Sequence, residues 1–131
     1  MAKEKVRILL VDDDEIHLSL AEAILKDEYE IITAKSGKEA LKYFFQGKFP
    51  DLVLLDILMP NMDGWETYNR LKAFSFLQDI PVAFLTSISE TTEKDYAIEI
   101  GAADFITKPF EKDDLQRRIK KILEKPDADQ I

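Results

Sequence analysis

The order of apolar and polar segments predicts a doubly wound α/β fold, with five parallel strands in the order 2-1-3-4-5 and helices on both faces. Three observations carry that expectation. Short apolar runs alternate five times with segments of helical spacing, the pattern that yields a parallel sheet covered on both sides. The first run is more apolar than the second, which suits a central first strand beside an edge second strand. A chain of 131 residues with no repeat, linker or low-complexity segment makes one domain.

Each element follows from local chemistry. Val6 to Val11 is apolar and β-branched or leucine-rich, a strand buried on both faces, and Asp12, Asp13 and Asp14 end it abruptly. Ile16, Leu20, Ala21, Ile24 and Leu25 recur at helical spacing and are expected to face the sheet. Tyr29 to Ala34 is mixed in polarity, hence the edge strand. Ser36 and Glu39 make a capping box for a helix with Ala40, Leu41, Phe44 and Phe45 on its buried face. Gly47 and Pro50 stop it before the third strand, Asp51 to Asp56. Pro60 and Gly64 mark a loop, and Asp63 with Glu66 caps a helix carrying Trp65, Tyr68 and Leu71. Pro81 introduces the fourth strand, Val82 to Leu85. Glu90 to Ile100 reads as the helix with the thinnest apolar face. A short strand around Asp104 to Thr107 meets Pro109, and the last helix carries Leu115, Ile119, Ile122 and Leu123. The domain is expected over residues 5–124, with a frayed polar tail at 125–131. The strand order is the flavodoxin-like one.

Composition narrows the function. Hydrophobic residues at 46% and charged residues at 34% suit a globular domain rather than a disordered one. Cysteine is absent, which removes thiolate catalysis, cysteine-ligated zinc and disulfides, and fits a reducing compartment. Acids outnumber bases by 26 to 18, for a net charge of −8, which argues against direct nucleic-acid binding. No apolar run approaches the roughly 20 residues of a membrane span, and Met1 to Lys5 lacks the apolar stretch of a signal peptide. A cytoplasmic protein without membrane contact is expected.

In such sheets, sites form at the carboxyl ends of the strands, near the switch in strand order. Asp12 and Asp13 follow the first strand, Asp56 ends the third, Thr86 follows the fourth and Lys108 the fifth. The first and third strands are neighbours in this order, so three carboxylates converge. Two such charges about 4 Å apart repel by about 4 kcal/mol at an effective dielectric near 20. An oxygen-only donor set suits a hard divalent ion, most naturally Mg²⁺. A solvated acidic loop is the competing explanation. It suits Asp14 and Glu15, which favour a helix N-terminus. It suits Asp56 poorly, because a carboxylate directly after Leu52-Val53-Leu54-Leu55 is costly without a partner. Carboxylate nucleophile, metal, lysine and hydroxyl are together the parts of phosphoryl transfer to an aspartate. Lys108 alone could be a plain salt bridge, and Thr86 alone a strand-end cap. No Walker loop or dinucleotide fingerprint is present, and the acidic first loop does not suit a flavin phosphate.

Four motifs, in order, resemble the receiver domain of bacterial response regulators: Leu-Leu-Val-Asp-Asp-Asp at 9–14, Leu-Leu-Asp-Ile-Leu-Met-Pro-Asn-Met-Asp-Gly at 54–64, Leu-Thr-Ser at 85–87 and Lys-Pro-Phe at 108–110. The resemblance covers about residues 5 to 124. It implies that Asp56 accepts a phosphoryl group from a histidine of a sensor histidine kinase or phosphotransfer protein. It also implies that Asp13 binds Mg²⁺ directly, that Asp12 assists through water, and that the Leu58 main-chain carbonyl is a further ligand. Thr86 and Lys108 would hold phosphoryl oxygens, and the Lys108–Pro109 bond would be cis. Phe105 falls at the aromatic switch position, where core packing is the simpler role. The output face would be the fourth helix, fifth strand and fifth helix.

Leu58 and Ile88 stand where similar domains often carry polar side chains, so neither orients an attacking water, and a long-lived acyl phosphate is expected. The same Leu58 disfavours the rival reading, a Mg²⁺-dependent phosphohydrolase, which wants a second acid there; the domain is expected to be a signalling module rather than an enzyme. A third reading, a scaffold that is never phosphorylated, is disfavoured by the complete site. Lys94 with Asp114, and Asp104 with Arg118, resemble the ion-pair positions of receivers that dimerise through the output face in winged-helix transcription regulators. Ala103 departs from that pattern. His17 reads as a helix-flank residue, Trp65 as a packing residue usable as a fluorescence reporter, and Met59 and Met62 as loop packing.

Overall fold

The computed structural model describes residues 5–124; Met1 to Glu4 of the N-terminal stretch and the expected tail at 125–131 lie outside them. Five strands, β1 (Arg7–Val11), β2 (Glu30–Ala34), β3 (Leu52–Leu55), β4 (Val82–Thr86) and β5 (Asp104–Thr107), alternate with five helices, α1 (Glu15–Leu25), α2 (Gly37–Phe44), α3 (Gly64–Lys72), α4 (Thr91–Glu99) and α5 (Lys112–Leu123). A 3-10 turn at Ser75–Leu77, unanticipated in the sequence, links α3 to β4. The sheet order is β2-β1-β3-β4-β5 and every pairing is parallel. The ladder sets Val11 against both Ala34 and Leu55, and Leu55 against Phe84. The carboxyl ends of β1 and β3 are thereby level, and β4 runs two residues further, to Thr86.

Alternate strand residues feed two cores. Leu9, Val11, Val53, Leu55 and Phe84 pack with Ala40, Phe44, Tyr68, Leu71 and Ala97 of α2, α3 and α4. Ile8, Leu10, Leu52, Leu54 and Ile106 pack with Leu18, Ala21, Leu25, Leu115 and Ile119 of α1 and α5. Both faces of β1 and β3 are therefore dry, as continuous apolar runs demand.

Two helix faces differ from expectation. In α1 the buried residues are Leu18, Ala21 and Leu25, whereas Ile16 and Leu20 are 76% and 50% exposed. The Asp14 side chain accepts from the Ile16 and His17 amides, so the helix starts at Glu15 and its phase turns Ile16 and Leu20 outward. Phe45 lies just past α2 and is 63% exposed, held edge-on against Phe74 rather than in the core. The capping box at Ser36 and Glu39 forms in half: the Ser36 hydroxyl accepts from the Glu39 amide, while the Glu39 carboxylate accepts from the Lys35 amide, one residue before the cap. Asp63 caps α3.

Gly64 opens α3 where no side chain fits. A Cβ there would stand 2.3 Å from the Asp56 carbonyl oxygen and 2.6 Å from the Ile57 Cα, and the Gly64 amide donates to the Ile57 carbonyl at 2.8 Å. Gly64→Ala is expected to destabilise the domain by about 1–3 kcal/mol, because backbone must move to admit the methyl group. Urea unfolding checks this; an unchanged midpoint would show that the loop yields freely.

Candidate functional site

The strand ends gather the expected residues. Asp12 leaves β1 with its amide bonded to the Ala34 carbonyl, and the Asp56 amide donates to the Val11 carbonyl. The two ladder bonds fix the carboxylates side by side. Asp12, Asp13 and Asp56 each present an oxygen within 4.8 Å of the others. Asp12 and Asp56 are only 6% and 5% exposed, whereas Asp13 faces solvent. A buried pair of hard oxygen donors with one open side suits a divalent cation that keeps part of its water shell.

Lys108 is the local counter-charge, its amide anchored to the Thr86 carbonyl at 2.7 Å and the Lys108–Pro109 bond cis. The side chain is buried, with Nζ 2.5 Å from Asp12 Oδ2 and 3.6 Å from Asp56 Oδ2. Asp56 Oδ1 accepts from the Ile57 amide at 2.8 Å. Burial pushes the Asp56 carboxyl up to about 6, and the Asp12 charge adds to that; the Lys108 ammonium and the Ile57 N–H pull the other way. Thr86 is fully buried and its hydroxyl accepts from the Ile88 amide at 3.3 Å. Phe105 is buried against Phe84, and Phe84 touches Trp65, which meets Tyr96 of α4. An aromatic row therefore crosses from β5 to α4. The exposed Leu58 side chain and half-buried Ile88 offer no polar group.

One residue of the site escaped the sequence reading. His17 is not a bystander on the helix flank: its Nδ1 lies 2.9 Å from Lys108 Nζ. The usable signal was its place in the first turn after the Asp12–Asp14 strand end, because that turn borders the same edge as the strand termini.

The model of the response regulator receiver domain matches residues 8–120. This chain belongs to that family. The receiver is 38% identical over 128 residues to the probable transcriptional regulator ycf27 of Porphyra purpurea, covering 97% of this chain and 51% of that protein. It is also 38% identical over 118 residues to the alkaline phosphatase synthesis transcriptional regulatory protein PhoP of Bacillus subtilis, covering 89% of this chain and 48% of PhoP. The Vibrio cholerae chemotaxis protein CheY4 superposes with a TM-score of 0.83 at 28% identity, over 90% of this chain and 98% of that one. The receiver thus spans about half the length of the ycf27 and PhoP proteins. Their names make them transcriptional regulators, so the expectation of no nucleic-acid contact, argued from the acidic balance of this domain, is not supported for a whole protein of that kind. Among the described residues, no helix is long and apolar enough to cross a membrane.

Proposed function

We propose that the receiver accepts a phosphoryl group on Asp56 from a histidine of a sensor kinase or phosphotransfer protein and relays its arrival to the α4-β5-α5 face. The observation that carries this reading is the buried Asp56 carboxylate standing beside Asp12, Asp13 and the Lys108 ammonium at one sheet edge. An Asp56 oxygen attacks phosphorus, the phosphorus–nitrogen bond to the donor histidine breaks, and its electron pair leaves with the imidazole. Lys108 and the Thr86 hydroxyl then hold phosphoryl oxygens. Mg²⁺, held by Asp12, Asp13, Asp56 and the Leu58 carbonyl, would offset the charge that builds on those oxygens. The test is intact-mass spectrometry after incubation with acetyl phosphate: one added phosphoryl group is expected with Mg²⁺ and none with EDTA. No adduct in either buffer would overturn the reading.

The Phe105 ring already lies inward, so phosphorylation need not rotate it. The conformational signal falls instead to Thr86 and to α4, which is lightly anchored: Ala97 is its one buried residue and its N-cap makes no side-chain bond. The acyl phosphate is expected to be long-lived, because apolar Leu58 and Ile88 orient no water. A Leu58→Asn, Ile88→Glu double variant should lose its phosphoryl group at least about tenfold faster, as read by the decay of the phosphorylated mass; equal decay would remove the argument.

Dimerisation through α4-β5-α5 is part of the same proposal. Arg118 bonds Asp104 and Asp114 within one chain at 3.0 Å, while Lys94 makes no ion pair among the described residues and is available to a second copy. Sedimentation with beryllofluoride and Mg²⁺ is expected to show a dimer. A monomer there would leave the signal to a different partner.

A further inference from the structure

We infer that His17 is a positioning residue that holds the Lys108 ammonium away from Asp56 until a phosphoryl group arrives; this rests on the proposed role of Asp56. Lys108 Nζ has three neighbours, and they are unequal. Asp12 Oδ2 stands at 2.5 Å and His17 Nδ1 at 2.9 Å, both within bonding distance, whereas Asp56 Oδ2 is at 3.6 Å. The ammonium is thus bonded on the α1 side of the site and only approached by the acceptor. An ammonium has donors and no acceptor, so the imidazole nitrogen facing it must be the bare one, and the ring proton sits on Nε2. The carboxylates of Asp12 and Asp14 lie 3.6 Å from the same Nδ1, too far to bond it, which leaves Lys108 as its partner.

Geometry makes the contact consequential. His17 is fixed in the first turn of α1, whose start is pinned by the Asp14 cap, and Lys108 is fixed at the end of β5 by its amide bond to Thr86. The two meet over 91 positions of sequence through side chains alone. Cation binding at the carboxylates draws on the Asp12 charge and weakens that tie to Lys108, but leaves the Nδ1 acceptor in place. To hold a phosphoryl oxygen on Asp56, Lys108 must give up the His17 bond. His17 therefore sets part of the barrier to accepting the group.

Two measurements test this. With acetyl phosphate and Mg²⁺, His17→Leu, which removes the acceptor, is expected to take up the phosphoryl group about fivefold faster than wild type, the scale of one bond to a charged donor at a partly exposed site. His17→Asn, which keeps an acceptor near the Nδ1 position, is expected to restore the slow rate. Equal rates for the Leu and Asn variants, in either direction, overturn the inference by showing that only packing matters. The second readout needs no phosphorylation: the ¹⁵N resonance of His17 Nδ1 should be that of an unprotonated, hydrogen-bonded nitrogen and should move to the free-acceptor position in Lys108→Met. A protonated Nδ1, or a resonance indifferent to Lys108→Met, overturns the contact itself. A wild-type protein that takes up no phosphoryl group while showing the bonded Nδ1 signal overturns the Asp56 reading and the kinetic role, but leaves the contact standing.

Discussion

Asp56→Asn is expected to abolish phosphoryl uptake and, in metal-free buffer, to make the receiver more stable. The first effect follows from removing the nucleophile, since an amide oxygen does not form the acyl phosphate. The second follows from the electrostatics of the strand ends. Asp56 is held up at about 6 from 3.8, first by burial and then by the Asp12 charge. The folded receiver thus binds this proton more tightly than the unfolded chain does. Across the window between those two values stability falls as pH rises, and above about 6 the full penalty is present. Asparagine carries no charge and escapes it. Its advantage should be small at about pH 4 and reach about 3 kcal/mol at about pH 7, the scale set by about 1.4 kcal/mol for each tenfold change in proton affinity between 3.8 and about 6. Millimolar Mg²⁺ should close the gap by stabilising only the wild type. Thermal melts of both proteins at the two pH values, with and without Mg²⁺, check the prediction. A variant less stable than wild type at neutral pH without metal would contradict it.

Lys108→Met should act in the opposite direction on stability. The ammonium is buried between Asp12 and Asp56, and its side chain and those of both acids are less than a tenth exposed. Methionine of similar length leaves two buried carboxylates facing each other without a cation. Removing one partner of such a pair costs about 3–5 kcal/mol. Urea midpoints should show that loss, with partial recovery in Mg²⁺, because a divalent ion replaces the missing positive charge. Uptake of the phosphoryl group should fall by about 100-fold, the cost of losing one donor aimed at transition-state charge. A destabilised variant with normal uptake would show that Lys108 is only a salt-bridge residue, and an equally stable one would contradict the electrostatic argument itself.

What could be read from the residues depended on whether the deciding force was local. Leu52 to Leu55 followed by Asp56 marked a central strand and its end, because dry neighbours on both sides admit only apolar side chains until the strand ends. The mixed polarity of Glu30 to Ala34 likewise marked the edge. The face of α1 was not legible. Several apolar residues compete for a helix of 11 residues, and the choice of Leu18 over Ile16 and Leu20 depends on the cap at Asp14 and on the angle at which the helix crosses the sheet. The exposure of Phe45 was hidden for a similar reason, since its partner Phe74 lies beyond the next helix. The first-turn position of His17 pointed to the site edge, but its bond to Lys108 was not legible, because it joins side chains 91 positions apart in the chain.

The light anchoring of α4 bears on how this receiver can change over generations. Substitutions on the outward positions of that helix, among them Lys94, Asp95 and Ile98, remove almost nothing from the core, and surface changes of this kind alter stability by no more than about 0.5 kcal/mol. Selection can therefore rewrite the proposed partner surface in many small steps while the fold tolerates each one. The strand ends allow no comparable drift: exchange of Asp12, Asp56, Gly64 or Lys108 disturbs charge balance or backbone clearance at once. Under the proposed relay, descendants of this chain can acquire new listeners through α4 while keeping the means of receiving the message unaltered.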